Sequence, residues 1–136
     1  MGIKTSVVAR PIAQQSVAIN NADIDFYLYG WGVPTYDSAY IFDFLVHTRG
    51  KDGRGPTNAT GFSNAAVDTD IVALASEADK AKRDQIIARI WDVVQKERFY
   101  IPLHDQMVHF ASIKRLNIPV HPENEVHFKD VKFDGK

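Results

Sequence analysis

Apolar residues form short continuous runs near the start of the chain and helical stripes further on. Residues 3–9 alternate loosely and carry Val7 and Val8, which predicts a short strand. Residues 24–31 are an apolar run bounded by turn-forming residues, which predicts a strand covered on both faces. Between the runs, Pro11 suits a first helical turn, and Ile12 and Ile19 follow it at helical spacing. A strand, a helix and a strand in this order predict a parallel βαβ unit whose two strands are neighbours.

Periodic apolar positions predict three more helices in the middle of the chain. A short helix is expected over residues 40–45, a second from about residue 65, and a long one over residues 80–98 after the N-cap Asp79. The long helix separates charged from apolar positions, and the apolar ones are Ile86, Ile87, Ile90, Trp91, Val93 and Val94. Residues 49–61 contain four glycines and a proline, which predicts a long, mobile loop with few buried contacts.

The last third of the chain predicts further strands. Residues 100–104 and 107–113 are expected to form two strands around a tight turn at Asp105 and Gln106. A weaker alternation continues in the tail, where the apolar positions are Val126, Phe128, Val131 and Phe133. Helices interspersed with strands in this way predict an α/β fold.

Composition and charge exclude several classes of function. The chain has 136 residues, about one domain, and its 45% hydrophobic and 24% charged residues are ordinary for a globular domain. The 16 basic and 17 acidic residues give a net charge of −1, so nucleic acid is not an expected partner. The absence of cysteine excludes disulfides and thiolate ligands. Because the chain opens on a predicted strand with no visible leader, we expect it to be part of a longer protein.

The predicted strand over residues 24–31 ends in an aromatic loop, which is the candidate ligand site. Ligands in open α/β sheets bind just beyond the carboxyl ends of the strands. The candidate ligand-binding residues at that place are Trp31, Gly32, Val33, Tyr36 and Asp37. Aromatic rings can pack on a solute, a glycine permits close approach of the backbone, and a carboxylate can pair with a cation. Two other interpretations stay open: the aromatic residues fill the core, and Asp37 caps the helix that follows.

The histidines offer an alternative, enzymatic interpretation. His104 and His109 flank the predicted hairpin turn, and Asp105 could complete a metal-dependent or hydrolytic site with them. Neither their spacing nor that of His121 and His127, six positions apart in the tail, matches a known two-histidine motif. No nucleophile stands in an evident pairing with a base. The sequence therefore predicts no catalytic residue, no metal ligand and no cofactor.

A serine near the glycine-rich loop has a structural explanation. Gly61, Phe62 and Ser63 weakly resemble the nucleophile elbow, the turn that exposes a catalytic serine. That turn follows a strand, whereas here a glycine-rich loop precedes the serine. Ser63 or Asn64 is instead expected to cap the helix that begins near residue 65.

Several short motifs, taken in order, resemble one protein family. They are GWG at 30–32, the loop VPTYD at 33–37, GFSN at 61–64, the KR pair at 82–83 and YIPLH at 100–104. Their order and spacing resemble the C-terminal part of the substrate-binding proteins of bacterial ABC importers. Within that group, the chain looks like the dipeptide/oligopeptide/nickel-binding family (family 5 solute-binding proteins), and the resemblance runs from about residue 3 to residue 133.

The resemblance implies a partial lobe of a type II periplasmic-binding-protein fold, with a mixed sheet flanked by helices. Residues 1–136 would be a single domain, forming most of the C-terminal lobe of a longer, two-lobed receptor. Its implied function is the capture of a peptide or another small polar solute, without catalysis, for import by an ABC permease. The receptor would act at the periplasmic or extracellular face of the bacterial membrane. In peptide-binding members an acidic residue shortly after the tryptophan holds the peptide amino terminus; here Pro34 stands at that position, and Asp37 is the nearest carboxylate.

The resemblance also implies two protein partners, the N-terminal lobe of the receptor and the membrane permease. Two alternatives belong to other classes of function. One is the small enzyme built on His104, Asp105 and His109. The other is an interaction domain that forms a homodimer, because a lobe separated from its other half would expose the surface between them.

Overall fold

The computed structural model describes residues 2–107, 109–121 and 125–134. This part of the chain contains several helices and one small two-stranded sheet, with the remaining residues in turns and irregular segments, which agrees with the predicted α/β class in its coarse form. The elements are α1 (Ile12–Asn20), α2 (Ser38–Ile41), a π-helical segment (Phe42–Val46), α3 (Ala65–Leu74), α4 (Lys80–Glu97), β1 (Leu116–Asn117), a 3-10 helix (Phe128–Asp130) and β2 (Lys132–Phe133). Within these ranges, every helix is too short or too polar to cross a lipid bilayer.

The hydrophobic core lies where the π-helical segment packs against α3 and α4. Its buried residues are Phe42, Val46, Val67, Ile71, Leu74, Ile86, Ile90 and Val94. The ring of Phe42 is fully buried and meets Trp91 edge-on, with the ring centroids 4.9 Å apart. Edge-to-face contact of this kind adds to the burial of both rings. The core is therefore assembled from residues 42–94, and the segments on either side of that range contribute little to it.

The two central helices confirm their sequence-based predictions. Helix α4 begins after Asp79, whose carboxylate accepts a hydrogen bond from the Lys82 backbone N–H at 3.0 Å. It ends at Arg98, whose φ of 53° is the left-handed conformation that commonly terminates helices. Helix α3 is capped by Asn64, which accepts hydrogen bonds from the backbone N–H groups of Ala66 and Val67. Of the two candidate caps, Asn64 is therefore the one used.

The predicted parallel βαβ unit is not formed. Helix α1 is present, but residues 3–9 and 24–31 have no regular secondary structure. Many of their apolar side chains face solvent, and Val7 is 94% exposed and Phe26 is 80% exposed. An apolar run signals a tendency to be buried, whereas a strand also needs a neighbouring backbone for its hydrogen bonds. No described segment supplies that neighbour for either run.

The predicted strands after α4 are also wrong. Residues 100–104 have no regular structure, and neither do the described residues of 107–113; residue 108 lies outside the described ranges. The described sheet instead pairs β1 with β2 antiparallel, with Leu116 opposite Phe133. The mixed sheet implied by the resemblance is therefore not found in the described residues, where the ladder has two short antiparallel strands. Periodicity could not identify this pair, because a two-residue strand is too short to show a period.

The glycine-rich loop over residues 49–61 is held more firmly than its composition predicts. The Gly55 N–H donates to the Asp43 carbonyl oxygen at 2.8 Å, and the Thr57 hydroxyl donates to the Phe44 carbonyl oxygen at 2.8 Å. The Asn58 side chain is buried, and its amide donates to the carbonyl oxygens of His47 and Phe62. Glycine content reports backbone freedom but says nothing about such long-range hydrogen bonds. The expectation of few buried contacts was therefore wrong.

Candidate functional site

The aromatic loop packs on the outer face of α2 and the π-helical segment. The ring centroid of Trp31 lies 6.3 Å from that of Tyr40 and 6.0 Å from that of Phe44. Tyr40 and Phe44, four positions apart on one helical face, stack with their centroids 4.7 Å apart. All three rings are only partly buried. The cluster therefore lies at the edge of the core, with aromatic surface still open to solvent.

The indole nitrogen of Trp31 is the distinctive polar atom of this cluster. Nε1 is shielded from solvent and has no hydrogen-bond acceptor within the described part of the chain. Shielded N–H donors in folded proteins nearly always have an acceptor, because leaving one unpaired costs about 1–3 kcal/mol. This donor therefore fits a site where an atom from outside the described chain supplies the acceptor.

Asp37 caps the helix that follows, which confirms one of the interpretations left open by the sequence. One carboxylate oxygen accepts a hydrogen bond from the Ala39 backbone N–H at 2.8 Å. The other accepts a hydrogen bond from Nη2 of Arg83 at 2.6 Å. Both oxygens are thus engaged within the chain, and the negative charge is already balanced by a guanidinium. A ligand cation at Asp37 would share the carboxylate with Arg83.

Arg83 is the residue that the sequence pattern missed, since its helical position assigned it to the solvent-exposed face of α4. Its Nη1 donates to the carbonyl oxygens of Leu74 at 2.8 Å and Glu77 at 3.3 Å, at the end of α3. One guanidinium therefore connects the C-terminal end of α3 with the N-terminal end of α2. Such multiple, planar hydrogen bonding is a property of arginine that lysine cannot reproduce.

The other predicted ligand residues form an exposed turn. The Tyr36 N–H donates to the Val33 carbonyl oxygen at 3.0 Å, and Tyr36 has a φ of 53° and is 68% exposed. A left-handed φ is uncommon for a tyrosine and occurs most often at turns and functional loops. No atom lies within 4 Å of the position that a Cβ of Gly32 would occupy. The backbone there is open to approach by another molecule.

Two tyrosines lie behind the aromatic loop. The Tyr100 hydroxyl donates to the Leu45 carbonyl oxygen at 3.1 Å. Burial raises the pKa of Tyr100 well above its usual value, and its electrostatic interaction with Tyr27 raises it further. Burial likewise raises the pKa of Tyr27. Both phenols therefore stay neutral near pH 7, which suits a role in packing and hydrogen bonding.

The predicted ligand residues present an open face. Two shallow depressions in the described surface lie elsewhere, one beside α1 at Ala13 and Val17 and one between α3 and α4 at Val67 and Val93. Neither depression includes a residue of the aromatic loop.

The candidate enzymatic residues are not brought together. His104, Asp105 and His109 are all exposed, and they do not form a group whose ligand atoms could share a metal ion. A different group does so within the described residues, namely His121, His127 and Asp130 in the tail. The sequence analysis assigned no role to those three, although the spacing of His127 and Asp130, three positions apart, was a signal for a shared face.

Comparisons with known proteins identify no relative. A scan against protein-family models, a search of curated proteins and a search of solved structures each returned no significant match.

Proposed function

We propose that this chain is part of the C-terminal lobe of a solute-binding receptor for an ABC importer, with the aromatic loop forming one wall of the ligand cleft. The family proposed is the dipeptide/oligopeptide/nickel-binding one, and the lobe is of the type II periplasmic-binding kind. The chain would bind and release its solute without chemical change. Delivery would be to a membrane permease, at the periplasmic or extracellular face of a bacterial cell.

Motifs that are distant in sequence contact one another in the structure, and this supports the proposal. Asp37 of the aromatic loop bonds to Arg83 of the long helix. Phe62 of the GFSN motif stacks on Phe99, with ring centroids 4.1 Å apart, directly before the YIPLH motif. The first residue of that motif, Tyr100, bonds to the backbone of the π-helical segment. The motifs behind the family resemblance thus belong to one connected structure around the aromatic loop.

The observation that carries the binding role is the shielded indole N–H of Trp31 on an open aromatic face. Ligand sites combine apolar or aromatic walls with a few polar groups that fix the orientation of the ligand. A solute with a carbonyl or hydroxyl oxygen would supply the acceptor that Nε1 has not found among the described residues. Its apolar part would pack against the rings of Trp31 and Tyr36.

The balanced charge at Asp37 bears on the class of solute. A peptide amino terminus would have to share the carboxylate with Arg83, and Pro34 offers no charge in its place. The arrangement therefore favours a small polar solute that is held by hydrogen bonds and aromatic packing. A peptide bound through its carbonyl groups also meets that description.

Exposed apolar segments support the proposal of a larger receptor. Residues 3–8, 24–30 and 101–107 expose large apolar side chains, which include Ile3, Val7, Phe26, Leu28, Ile101, Leu103 and Met107. Gln106 lies beside Gly30, so the second and third segments approach each other without forming a ladder. In the proposed receptor, the rest of the lobe and the N-terminal lobe would cover these segments and supply their strand partners.

Calorimetric titration of the receptor that contains this chain tests the proposal. Peptides and other small polar solutes form the panel, and Trp31→Phe is compared with the unsubstituted protein. The phenylalanine keeps aromatic surface but removes the N–H donor, so affinity for the true solute should fall by about 1–2 kcal/mol. Unchanged affinity would contradict the assigned role of Trp31, and catalytic turnover of any panel member would contradict the receptor function.

The exposed apolar segments also favour one second candidate, an interaction domain that dimerises. A homodimer would bury the same side chains against a second copy of the chain. Light scattering on the purified chain separates the two cases. A stable dimer mass without binding of any panel solute would favour the interaction domain.

A further inference from the structure

A 3-10 turn and a short strand pair lie in the part of the tail where three metal-ligating side chains come together. The Asp130 N–H donates to the His127 carbonyl oxygen at 2.9 Å, which closes the 3-10 turn and sets these two residues on one face. The following strand, β2, is fixed on β1, and the Asp134 N–H donates to the Arg115 carbonyl oxygen at 2.9 Å. The ring of His121 stacks on that of His127, with the centroids 4.1 Å apart.

The donor atoms of the three side chains converge. His121 Nε2 lies 3.6 Å and His127 Nδ1 lies 3.7 Å from the same carboxylate oxygen of Asp130. The three ligand atoms all lie within 4.8 Å of one another. Two atoms on a tetrahedral zinc ion, each bonded at about 2.0–2.1 Å, are separated by about 3.4 Å. The observed spacings to Asp130 are a few tenths of an ångström larger, and the two histidine nitrogens lie within 4.8 Å of each other, so side-chain rotations would bring the three atoms onto one ion.

We propose that His121, His127 and Asp130 form a binding site for a divalent transition metal ion of the Zn²⁺ class. Two imidazoles and one carboxylate suit zinc and its neighbours in the first row, whereas Ca²⁺ and Mg²⁺ prefer sites made of oxygen atoms alone. This site is separate from the aromatic loop and does not depend on the proposed receptor function.

The proposed site differs in kind from a closed structural zinc centre. Three protein ligands leave one position of a tetrahedral ion open, which is the arrangement of sites that bind a water molecule or an exchangeable group. The side chains are about one-third exposed, at 27%, 32% and 39% for His121, His127 and Asp130, whereas Nε2 of His121 is shielded from solvent, so an ion would enter past His127 and Asp130. Binding would join the start and end of the tail segment 121–130 through a single ion. Metal should therefore stabilise the tail against opening.

Titration of the metal-free chain with Zn²⁺ alone tests the site. The unsubstituted chain should bind one ion, and His121→Ala, His127→Ala and Asp130→Asn should each weaken binding by at least about tenfold. That loss is the lower end of the range associated with residues that only support a metal ligand. His109→Ala is the matched control, because it removes an exposed imidazole outside the group and should leave binding unchanged.

Cobalt provides a second measurement that does not depend on affinity. Co²⁺ bound by nitrogen and oxygen in a tetrahedral site absorbs visible light much more strongly than the hydrated ion, and this band should disappear in His127→Ala. Melting curves in the presence of a chelator establish whether each variant is folded. If His127→Ala does not fold, His127→Gln is measured in its place. The site is refuted if the unsubstituted chain shows no saturable Zn²⁺ binding, or if the folded tail variants bind as it does. Equal loss of binding in His109→Ala would also refute it.

Discussion

The Asp37 carboxylate and the Arg83 guanidinium meet at 2.6 Å, although 46 positions separate them in the chain. The same guanidinium donates to the carbonyl oxygens of Leu74, the last residue of α3, and of Glu77 just beyond it, so the candidate ligand loop is attached to the α3–α4 part of the fold. The Asp37 side chain is 42% exposed and that of Arg83 is 23% exposed, so water screens the pair in part. The main effect of the pair is to hold the first turn of α2 in place. Because Tyr40 lies on α2, the pair also holds the position of the aromatic cluster.

Replacing Arg83 should destabilise the protein through lost hydrogen bonds to Asp37, Leu74 and Glu77. Arg83→Met keeps much of the side-chain length but removes these three hydrogen bonds, and we expect a loss of about 1–3 kcal/mol in the free energy of unfolding. Urea titration provides the measurement. Arg89→Met is the control, since the Arg89 pair with Asp70 is bidentate but lies at the surface and should contribute less than Arg83 does. Equal effects of the two substitutions would contradict the role assigned to Arg83.

Asn58 should hold the glycine-rich loop. Its amide donates to His47 and Phe62, and its carbonyl oxygen accepts from Thr60, so Asn58→Ala leaves buried carbonyl groups unpaired. We expect a loss of about 1–3 kcal/mol in stability, measured by urea titration, and faster proteolysis between residues 49 and 61. The exposed Asn117→Ala serves as the control. Rapid cleavage of this loop in the unsubstituted protein, ahead of residues 3–9 and 24–30, would show that the loop is not anchored.

Trp91 should contribute measurably to stability through its packing at the edge of the core. Its contact with the buried Phe42 means that Trp91→Ala leaves a cavity, at a cost of about 3–5 kcal/mol. Trp91 is only partly buried, so the lower end of that range is expected. On the exposed side of α3, Val72→Ala should change stability by less than about 0.5 kcal/mol. A melting curve for Trp91→Ala that matches the unsubstituted protein would contradict the observed packing.

Tyr100 should make stability fall at alkaline pH. Its pKa is raised in the folded state above the value of about 10 expected when unfolded, so folding favours the neutral phenol. The stabilising contribution is fully present below about pH 10 and is lost as the pH rises through the higher folded-state pKa. Tyr100→Phe cannot ionise there and should show a shallower decline of unfolding free energy between about pH 9 and pH 11. Parallel declines for the two proteins would show that Tyr100 is not responsible.

The sequence predicted the helices well because the signals for a helix, its capping residue and its apolar stripe, lie within the helical segment itself. Helix α4 has both a cap at Asp79 and a clean apolar stripe, and the two signals agree on its start. The strand predictions over residues 3–9 and 24–31 lacked such support. Strands acquire their hydrogen bonds from other segments, and a pattern within one segment does not identify the partner.

At the candidate site too, contacts between neighbouring residues could be predicted from the sequence, whereas contacts between distant residues could not. The sequence located the aromatic loop and offered helix capping as one role for Asp37, since both follow from neighbouring residues. It did not identify Arg83 as the partner of Asp37, because a helical position facing away from the apolar stripe gives no sign of a distant carboxylate. His121, His127 and Asp130 were missed for a related reason. Their proximity depends on a 3-10 turn and on a strand pair two residues long.

Fluorescence of Trp31 measures ligand contact at the aromatic loop most directly. The chain has two tryptophans, so Trp91→Phe leaves the indole of Trp31 as the single reporter. Under the proposed function, this variant is titrated within the longer receptor, with any tryptophan outside this chain also replaced by phenylalanine. Peptides and small polar solutes should then produce a saturable shift in emission as the ligand packs on the ring and accepts a hydrogen bond from Nε1–H. The affinity should match that from calorimetry, and Trp31→Phe should weaken it. A solute that binds tightly by calorimetry but leaves Trp31 emission unchanged would contradict the assignment of this loop as the ligand wall.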